Sequence, residues 1–67
     1  MTKPEARRML MNEARYFKYI GASPLDFQIA LDSECWRLTS FEVEDAYNLV
    51  SSEIEHIKAW VWNPIKG

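Results

Sequence analysis

The sequence is poor in cysteine, histidine and glycine. Its 67 residues include one cysteine (Cys35), one histidine (His56) and two glycines. A single cysteine excludes an internal disulfide, and Cys35 with His56 supplies too few ligands for a structural zinc site. We therefore predict that the protein holds no metal and no cofactor. The low cysteine content is typical of a reducing compartment, so we expect a cytoplasmic protein.

Long hydrophobic runs are also missing. No apolar stretch approaches the ~18 residues that a membrane-spanning helix needs. The first 20 residues carry seven charges and lack the apolar core of a signal peptide. These features predict a soluble protein without membrane contact. The chain fits a single domain over residues 1–67 with a small core, and chains of this size commonly gain support from a partner or from self-association.

Charge is distributed unevenly along the chain. Residues 1–20 hold five basic and two acidic groups, whereas residues 21–57 hold one basic and eight acidic groups. The whole chain has a net charge of −2. A negative protein disfavours nonspecific attraction to nucleic acid or membranes, although a local basic patch survives near the N-terminus.

The N-terminal segment has the pattern of an amphipathic helix over residues 3–20. Thr2 and Glu5 have the spacing of a capping box, and Gly21 suits the left-handed position that ends a helix. Its predicted apolar face consists of Ala6, Met9, Leu10, Tyr16, Phe17 and Ile20.

The middle segment, residues 27–38, alternates between apolar and polar residues, which is typical of strands. As a helix, it would place Leu25 and Ile29 on one side and Phe27 and Leu31 on the other, and only a helix buried all round would do that. As a hairpin with a turn near Ser33, it places its large side chains on one face. The pattern therefore favours a β-hairpin.

The C-terminal segment predicts a second helix. Thr39 and Glu42 have capping-box spacing, and the helix should end near Trp62 because Pro64 disfavours helical geometry at Asn63. Its apolar stripe consists of Val43, Ala46, Tyr47, Val50, Ile54, Ile57 and Val61.

These elements predict an α+β fold in the order helix, β-hairpin, helix, with both helices packed on one face of a two-stranded antiparallel sheet. The alternative is an all-α domain of three helices. In the α+β fold both sheet edges are unpaired, so we expect a homodimer or a partner strand to cover them.

No catalytic constellation is evident. Cys35 and His56 are a nucleophile and a base, but they lie on different predicted elements and no oxyanion loop accompanies them. Carboxylates spaced two residues apart, such as Glu42 and Glu44, point away from each other on a helix. We predict that the protein is not an enzyme.

Two groups of residues are candidates for partner binding. The first is the basic face of the N-terminal helix, where cations surround a methionine; it consists of Arg7, Arg8, Met11, Arg15 and Lys18. Such a face can contact phosphates, an acidic protein or the acidic helix of another copy. The second group is Trp60 and Trp62, which act either as lids on the core or as binding anchors.

Glu13 stands out because it is an acidic residue within the predicted apolar stripe. Burying a carboxylate is costly unless it is paired. We expect Glu13 to lie at the edge of the stripe and to reach Lys58, Arg37 or a tyrosine hydroxyl.

The sequence favours a non-catalytic protein-binding module, a small accessory or inhibitor protein that docks on a larger macromolecule. Such a chain suits a phage or mobile-element inhibitor of a host enzyme. The alternative is a nucleic-acid-binding regulator that uses the basic face of the N-terminal helix.

Overall fold

The structure is a computed structural model that describes residues 1–33 and 41–63, without the side chain of Phe41. Within these residues the chain forms four α-helices, α1 (Lys3–Tyr19), α2 (Pro24–Asp32), α3 (Phe41–Val50) and α4 (Ile54–Trp62). A 3₁₀ turn, Ser51–Glu53, joins α3 to α4. The fold is therefore an all-α arrangement of three helical segments, the third of which is interrupted.

The predicted α+β fold is wrong. Residues 24–32, which include the whole predicted first strand, form α2, and no strand occurs in residues 1–33 or 41–63. The all-α alternative describes the molecule. Trp36 and Leu38, which were expected on the second strand, lie outside the described residues. A homodimer that pairs through the edge of such a sheet has lost its structural basis, because α2 stands in place of the first strand.

The boundaries of α1 are set by the predicted signals. The Thr2 side chain accepts a hydrogen bond from the Glu5 N–H, and the Glu5 carboxylate accepts one from the Thr2 N–H at 3.1 Å. At the other end, Gly21 adopts a φ of +86°. The N–H groups of Gly21 and Ala22 then donate to the carbonyls of Lys18 and Phe17, which is the Schellman arrangement.

A second capping box begins α2. The Ser23 hydroxyl accepts a hydrogen bond from the Asp26 N–H at 3.2 Å, and the Asp26 carboxylate accepts one from the Ser23 N–H at 2.9 Å. Pro24 occupies the first helical position, where a missing N–H costs nothing. These local bonds favour a helix from Pro24 onward, despite the strand-like alternation of the side chains.

The C-terminal helical segment bends at a pair of serines. Ser51 and Ser52 fall in the 3₁₀ turn, and Val50 before them has φ −129° and ψ 28°, outside the helical range. Serine side chains compete for backbone hydrogen bonds and so weaken a helix interior. The prediction that this segment ends near Trp62 is confirmed, whereas Thr39, its expected cap, lies outside the described residues.

The core lies where α2 and the α3–α4 segment pack on α1. Its fully buried members include three alanines, Ala6, Ala14 and Ala46, which allow helices to approach closely. Larger side chains fill the space between them, namely Leu10, Phe27, Leu31, Val43, Val50, Ile54, Ile57 and Val61.

The buried face of α1 differs from the predicted one. Ala14 is fully buried, whereas Tyr16 and Ile20 are exposed. The face is rotated by about one-sixth of a turn from the predicted stripe, given 3.6 residues per helical turn. The buried face is rotated because α1 packs against α4 as well as α3. The contact with α4 lies on the side of α1 that carries Met11 and Lys18.

Candidate binding surfaces

The predicted basic face of α1 is divided by intramolecular contacts. The Arg7 guanidinium donates to both carboxylate oxygens of Glu53, with Nη2 distances of 2.9 and 3.1 Å and an Nε distance of 3.3 Å. The Lys18 ammonium donates to the Val61 carbonyl at 2.9 Å, near the negative end of the α4 dipole. Early residues of α1 thus meet the start of α4 and late residues meet its end, so the two helices run alongside each other in the same direction. Arg7 and Lys18 therefore form contacts that join α1 to the two ends of α4.

Three of the predicted basic-face residues remain to be placed. Met11 is half-buried and packs against the core. Arg8 and Arg15 are exposed, and neither forms an ion pair with another described residue. Tyr19, which is 88% exposed, lies on the same helical stripe, because residues 8, 15 and 19 repeat at seven and eleven positions. The outward stripe of α1 therefore carries an aromatic ring and two cations that form no ion pair within residues 1–33 and 41–63.

Trp62 is half-buried and packs against the core. Its indole Nε1 donates to the Ala22 carbonyl at 3.1 Å, and its ring packs on Phe27 with a centroid separation of 5.6 Å. Phe27 in turn contacts Phe17 at 5.5 Å. This aromatic chain joins the end of α4 to the turn between α1 and α2, so Trp62 acts as a lid on the core.

Trp60 points outward from α4. It is 44% exposed and stacks on His56, with ring centroids 6.1 Å apart and an interplanar angle of 23°. Leu49, also exposed, lies on α3 before the 3₁₀ turn. Of the two predicted anchors, Trp60 is the one whose indole is accessible.

A further apolar surface, which was not among the predicted sites, lies on α2. Phe27 and Leu31 point into the core, whereas Leu25 and Ile29 are 65% and 56% exposed on the opposite side. Helical spacing places Leu25 and Ile29 one turn apart on one face. The sequence predicts that Leu25 and Ile29 share a face opposite Phe27 and Leu31 only if the middle segment is a helix, whereas the alternating pattern favours a hairpin.

Glu13 is half-buried on α1 without the predicted partners. No hydrogen bond or ion pair joins it to another residue within the described ranges, and Lys58 instead pairs with Glu55 at 2.6 Å. Arg37, the other predicted partner, lies outside these ranges. Burial raises the pKa of the Glu13 carboxyl above its ordinary value. A partly desolvated carboxylate therefore sits beside the core.

Chemistry-bearing side chains are sparse in the described part of the chain. It contains no group of three or more metal-ligating side chains, and every buried side-chain polar atom in it has a hydrogen-bond partner. Cys35 lies outside this part, so its expected separation from His56 stays a prediction. A shallow cleft of about 280 Å³ lies between α1 and the start of α3, lined by Met1, Glu5, Arg8, Met9, Asn12 and Glu42.

No helix within residues 1–33 and 41–63 is long and apolar enough to cross a bilayer. Comparison of the chain with protein-family models, with curated proteins and with solved structures found no match.

Proposed function

We propose that this chain is a non-catalytic protein-binding module that docks on a larger protein, with Trp60 as its anchor. The observation that carries the proposal is the contrast at the end of α4. Trp62 is half-buried and held by Ala22 and Phe27, whereas Trp60 leaves 44% of its surface in water. Tryptophan is the residue type most enriched in binding hot spots, and its indole offers both an apolar face and an N–H donor.

Stacking on His56 prepares Trp60 for docking. The two rings lie one helical turn apart and nearly parallel, which restricts the indole before a partner arrives. A side chain that is already ordered loses less conformational entropy on binding.

The charge of residues 41–63 indicates which kind of partner surface would bind here. Residues 41–63 contain five carboxylates and one lysine, Lys58, which is paired with Glu55. Asp45 and Glu55 are exposed on the α3–α4 segment. A partner with an apolar pocket and a basic surface would complement the exposed indole and the negative charge of this segment.

In this role the chain acts as a small accessory or inhibitor protein. Its size and its single cysteine suit a cytoplasmic setting, and a phage or mobile-element inhibitor of a host enzyme is one form that such a protein takes. Recognition of this kind needs no reactive group, only the exposed indole and the negative charge of the α3–α4 segment.

A second candidate function is nucleic-acid binding through α1. It is favoured by the exposure of Arg8 and Arg15 in line with Tyr19, since arginines neutralise phosphates and an exposed ring stacks on bases. Because Arg7 and Lys18 are engaged within the fold, this surface is smaller than the basic face predicted from the sequence.

The proposal is tested in two stages. A photo-crosslinking amino acid at position 60 first captures the partner from nuclease-treated lysate, with the same label at position 19 as a control. Calorimetry then measures the affinity of the purified partner for the wild type and for Trp60→Ala and Tyr19→Ala. Loss of a hot-spot tryptophan costs about 2 kcal/mol or more, which is roughly a thirtyfold loss of affinity.

We expect Trp60→Ala to lose this affinity and Tyr19→Ala to retain it. Binding of the purified partner should also weaken with added salt, because the negative charge of the α3–α4 segment contributes. Equal affinity for the wild type and Trp60→Ala would overturn the proposal. Retention of nucleic acid rather than a protein from a parallel lysate without nuclease, with loss on Arg15→Ala, would establish the second candidate instead.

A further inference from the structure

Exposed large apolar side chains concentrate where α1 turns into α2. The ring contact between Phe17 and Phe27 shows that α2 folds back on the last turns of α1, and the turn between the two helices is short. On the outward sides of this hairpin lie Tyr16, Tyr19 and Ile20 from α1 and Leu25 and Ile29 from α2. We call these five residues the hairpin patch. The patch is separate from the Trp60 surface.

The two halves of the hairpin patch carry opposite charge. The α1 half is accompanied by the exposed Arg15, which forms no ion pair among the described residues, and Arg8 lies two turns earlier on the same stripe. The α2 half is accompanied by the exposed Asp26 and Asp32, and α2 contains no basic residue. Each half is therefore apolar with a charged border, and the borders differ in sign.

We infer that two copies of this chain pair through the hairpin patch, with α2 of each copy packed on the last turns of α1 of the other. A twofold axis makes both contacts at once, because the same patch is used by both protomers. Leu25 and Ile29 then cover the tyrosines and Ile20 of the second copy, and the aspartates approach its arginines. This inference goes beyond the proposed function, since it concerns a different surface and a different occupant.

Direct pairing of α2 with α2 is disfavoured by the same charges. It would bring Asp26 and Asp32 of both copies together without any cation on either helix, and like charges across an interface oppose association. The reciprocal arrangement removes this repulsion and also covers exposed aromatic rings of α1. It meets the need for external support that is typical of a core this small.

Sedimentation equilibrium over a range of protein concentrations tests the pairing. We expect a monomer–dimer equilibrium for the wild type and a loss of dimer affinity of about tenfold or more for Leu25→Ser with Ile29→Ser, because the buried apolar area is removed. Leu49→Ser is the matched control, since Leu49 is exposed outside the hairpin patch, and it should dimerise like the wild type. Circular dichroism confirms that each variant retains its helices.

A charge exchange distinguishes reciprocal pairing from other modes. Arg15→Glu removes the cation beside Tyr19 and places an anion there, and Asp32→Lys places a cation on α2, so each variant alone should dimerise more weakly than the wild type. In an equimolar mixture the new carboxylate at position 15 of the first variant meets the new ammonium at position 32 of the second, and heterodimer formation should restore association.

Three results would overturn the inference. A wild type that is monomeric at all accessible concentrations, a dimer that Leu25→Ser with Ile29→Ser leaves intact, or a mixture that associates no better than its components would each contradict it. A monomeric wild type that binds single-stranded DNA and loses binding on Arg15→Glu would assign the α1 half to nucleic acid instead.

Discussion

Arg7 and Arg8 are neighbours in sequence but differ in structure. Arg7 forms a bidentate contact with Glu53, and both side chains are about one-third exposed, at 34% and 28%. Arg8 is exposed on the outward stripe of α1. A difference of one position on a helix turns a side chain by about 100°, which is enough to move it from the α4 interface to solvent.

Substitution separates these two roles. Arg7→Ala should lower the free energy of unfolding by about 1 kcal/mol, the upper end for ion pairs that are partly screened by solvent. Arg8→Ala is the matched control and should change stability by less than about 0.5 kcal/mol. Urea unfolding followed by tryptophan fluorescence measures both, and equal losses would contradict the assignment of Arg7 to the fold.

Glu13 gives a pH-dependent prediction. Burial raises its pKa, so the folded protein holds this proton more tightly than the unfolded chain. The stability that protonation of Glu13 gives to the folded protein is therefore present at low pH and is lost as the pH rises through the pKa of the folded state. Glu13→Gln should raise the melting temperature at neutral pH.

The control for Glu13→Gln is the same comparison at about pH 3.5, below the ordinary glutamate pKa, where wild type and variant should melt alike. The sequence-based expectation of a paired Glu13 predicts the opposite sign at neutral pH. A lower melting temperature for Glu13→Gln there would show that a partner stabilises the carboxylate.

At the scale of elements, α2 shows where sequence interpretation succeeded and failed. The capping signals of α1 and the apolar stripe of α3 and α4 are predicted correctly, whereas the single C-terminal helix that the stripe predicts is interrupted at Ser51–Glu53. In α2, Leu25, Phe27, Ile29 and Leu31 fit both a strand and a two-faced helix. The helical interpretation is disfavoured only if both apolar faces must be buried, and in the structure one face of α2 is exposed.

A local signal for α2 was nonetheless present. Ser23 and Asp26 have the spacing of a capping box, with Pro24 at the first helical position. The exposed face could not be predicted, because sequence alone does not show which apolar residues remain in water. For the same reason the sequence could not separate Trp60 from Trp62, whose roles depend on how the end of α4 meets Ala22 and Phe27.

The attachment of α4 to the hairpin predicts unequal roles for the two tryptophans. Trp62→Ala removes a ring packed on Phe27 and leaves the Ala22 carbonyl without its donor, so it should cost about 3 kcal/mol. Trp60→Ala removes a partly exposed ring and should cost less than about 1 kcal/mol. Thermal unfolding measured by circular dichroism compares them, and a larger loss for Trp60→Ala would reverse their assignment.

At the scale of the whole molecule, dimerisation couples to stability. If two copies pair through the hairpin patch, only the folded chain associates, and the melting temperature should rise by a few degrees across about a hundredfold increase in concentration. Leu25→Ser with Ile29→Ser should melt at a temperature independent of concentration. Calorimetry at several concentrations measures this, and a melting temperature of the wild type that does not change with concentration would contradict the pairing.

The arrangement of α2, with Phe27 and Leu31 inside and Ile29 outside, underlies both the fold and the hairpin patch. Paramagnetic broadening of methyl signals by a soluble gadolinium chelate tests it directly. In dilute protein, we predict strong broadening at Leu25 and Ile29 and little at Leu31, with the broadening at Leu25 and Ile29 falling as protein concentration rises. Equal protection of Ile29 and Leu31 in dilute protein would contradict this arrangement, because it would place them on one face of a strand.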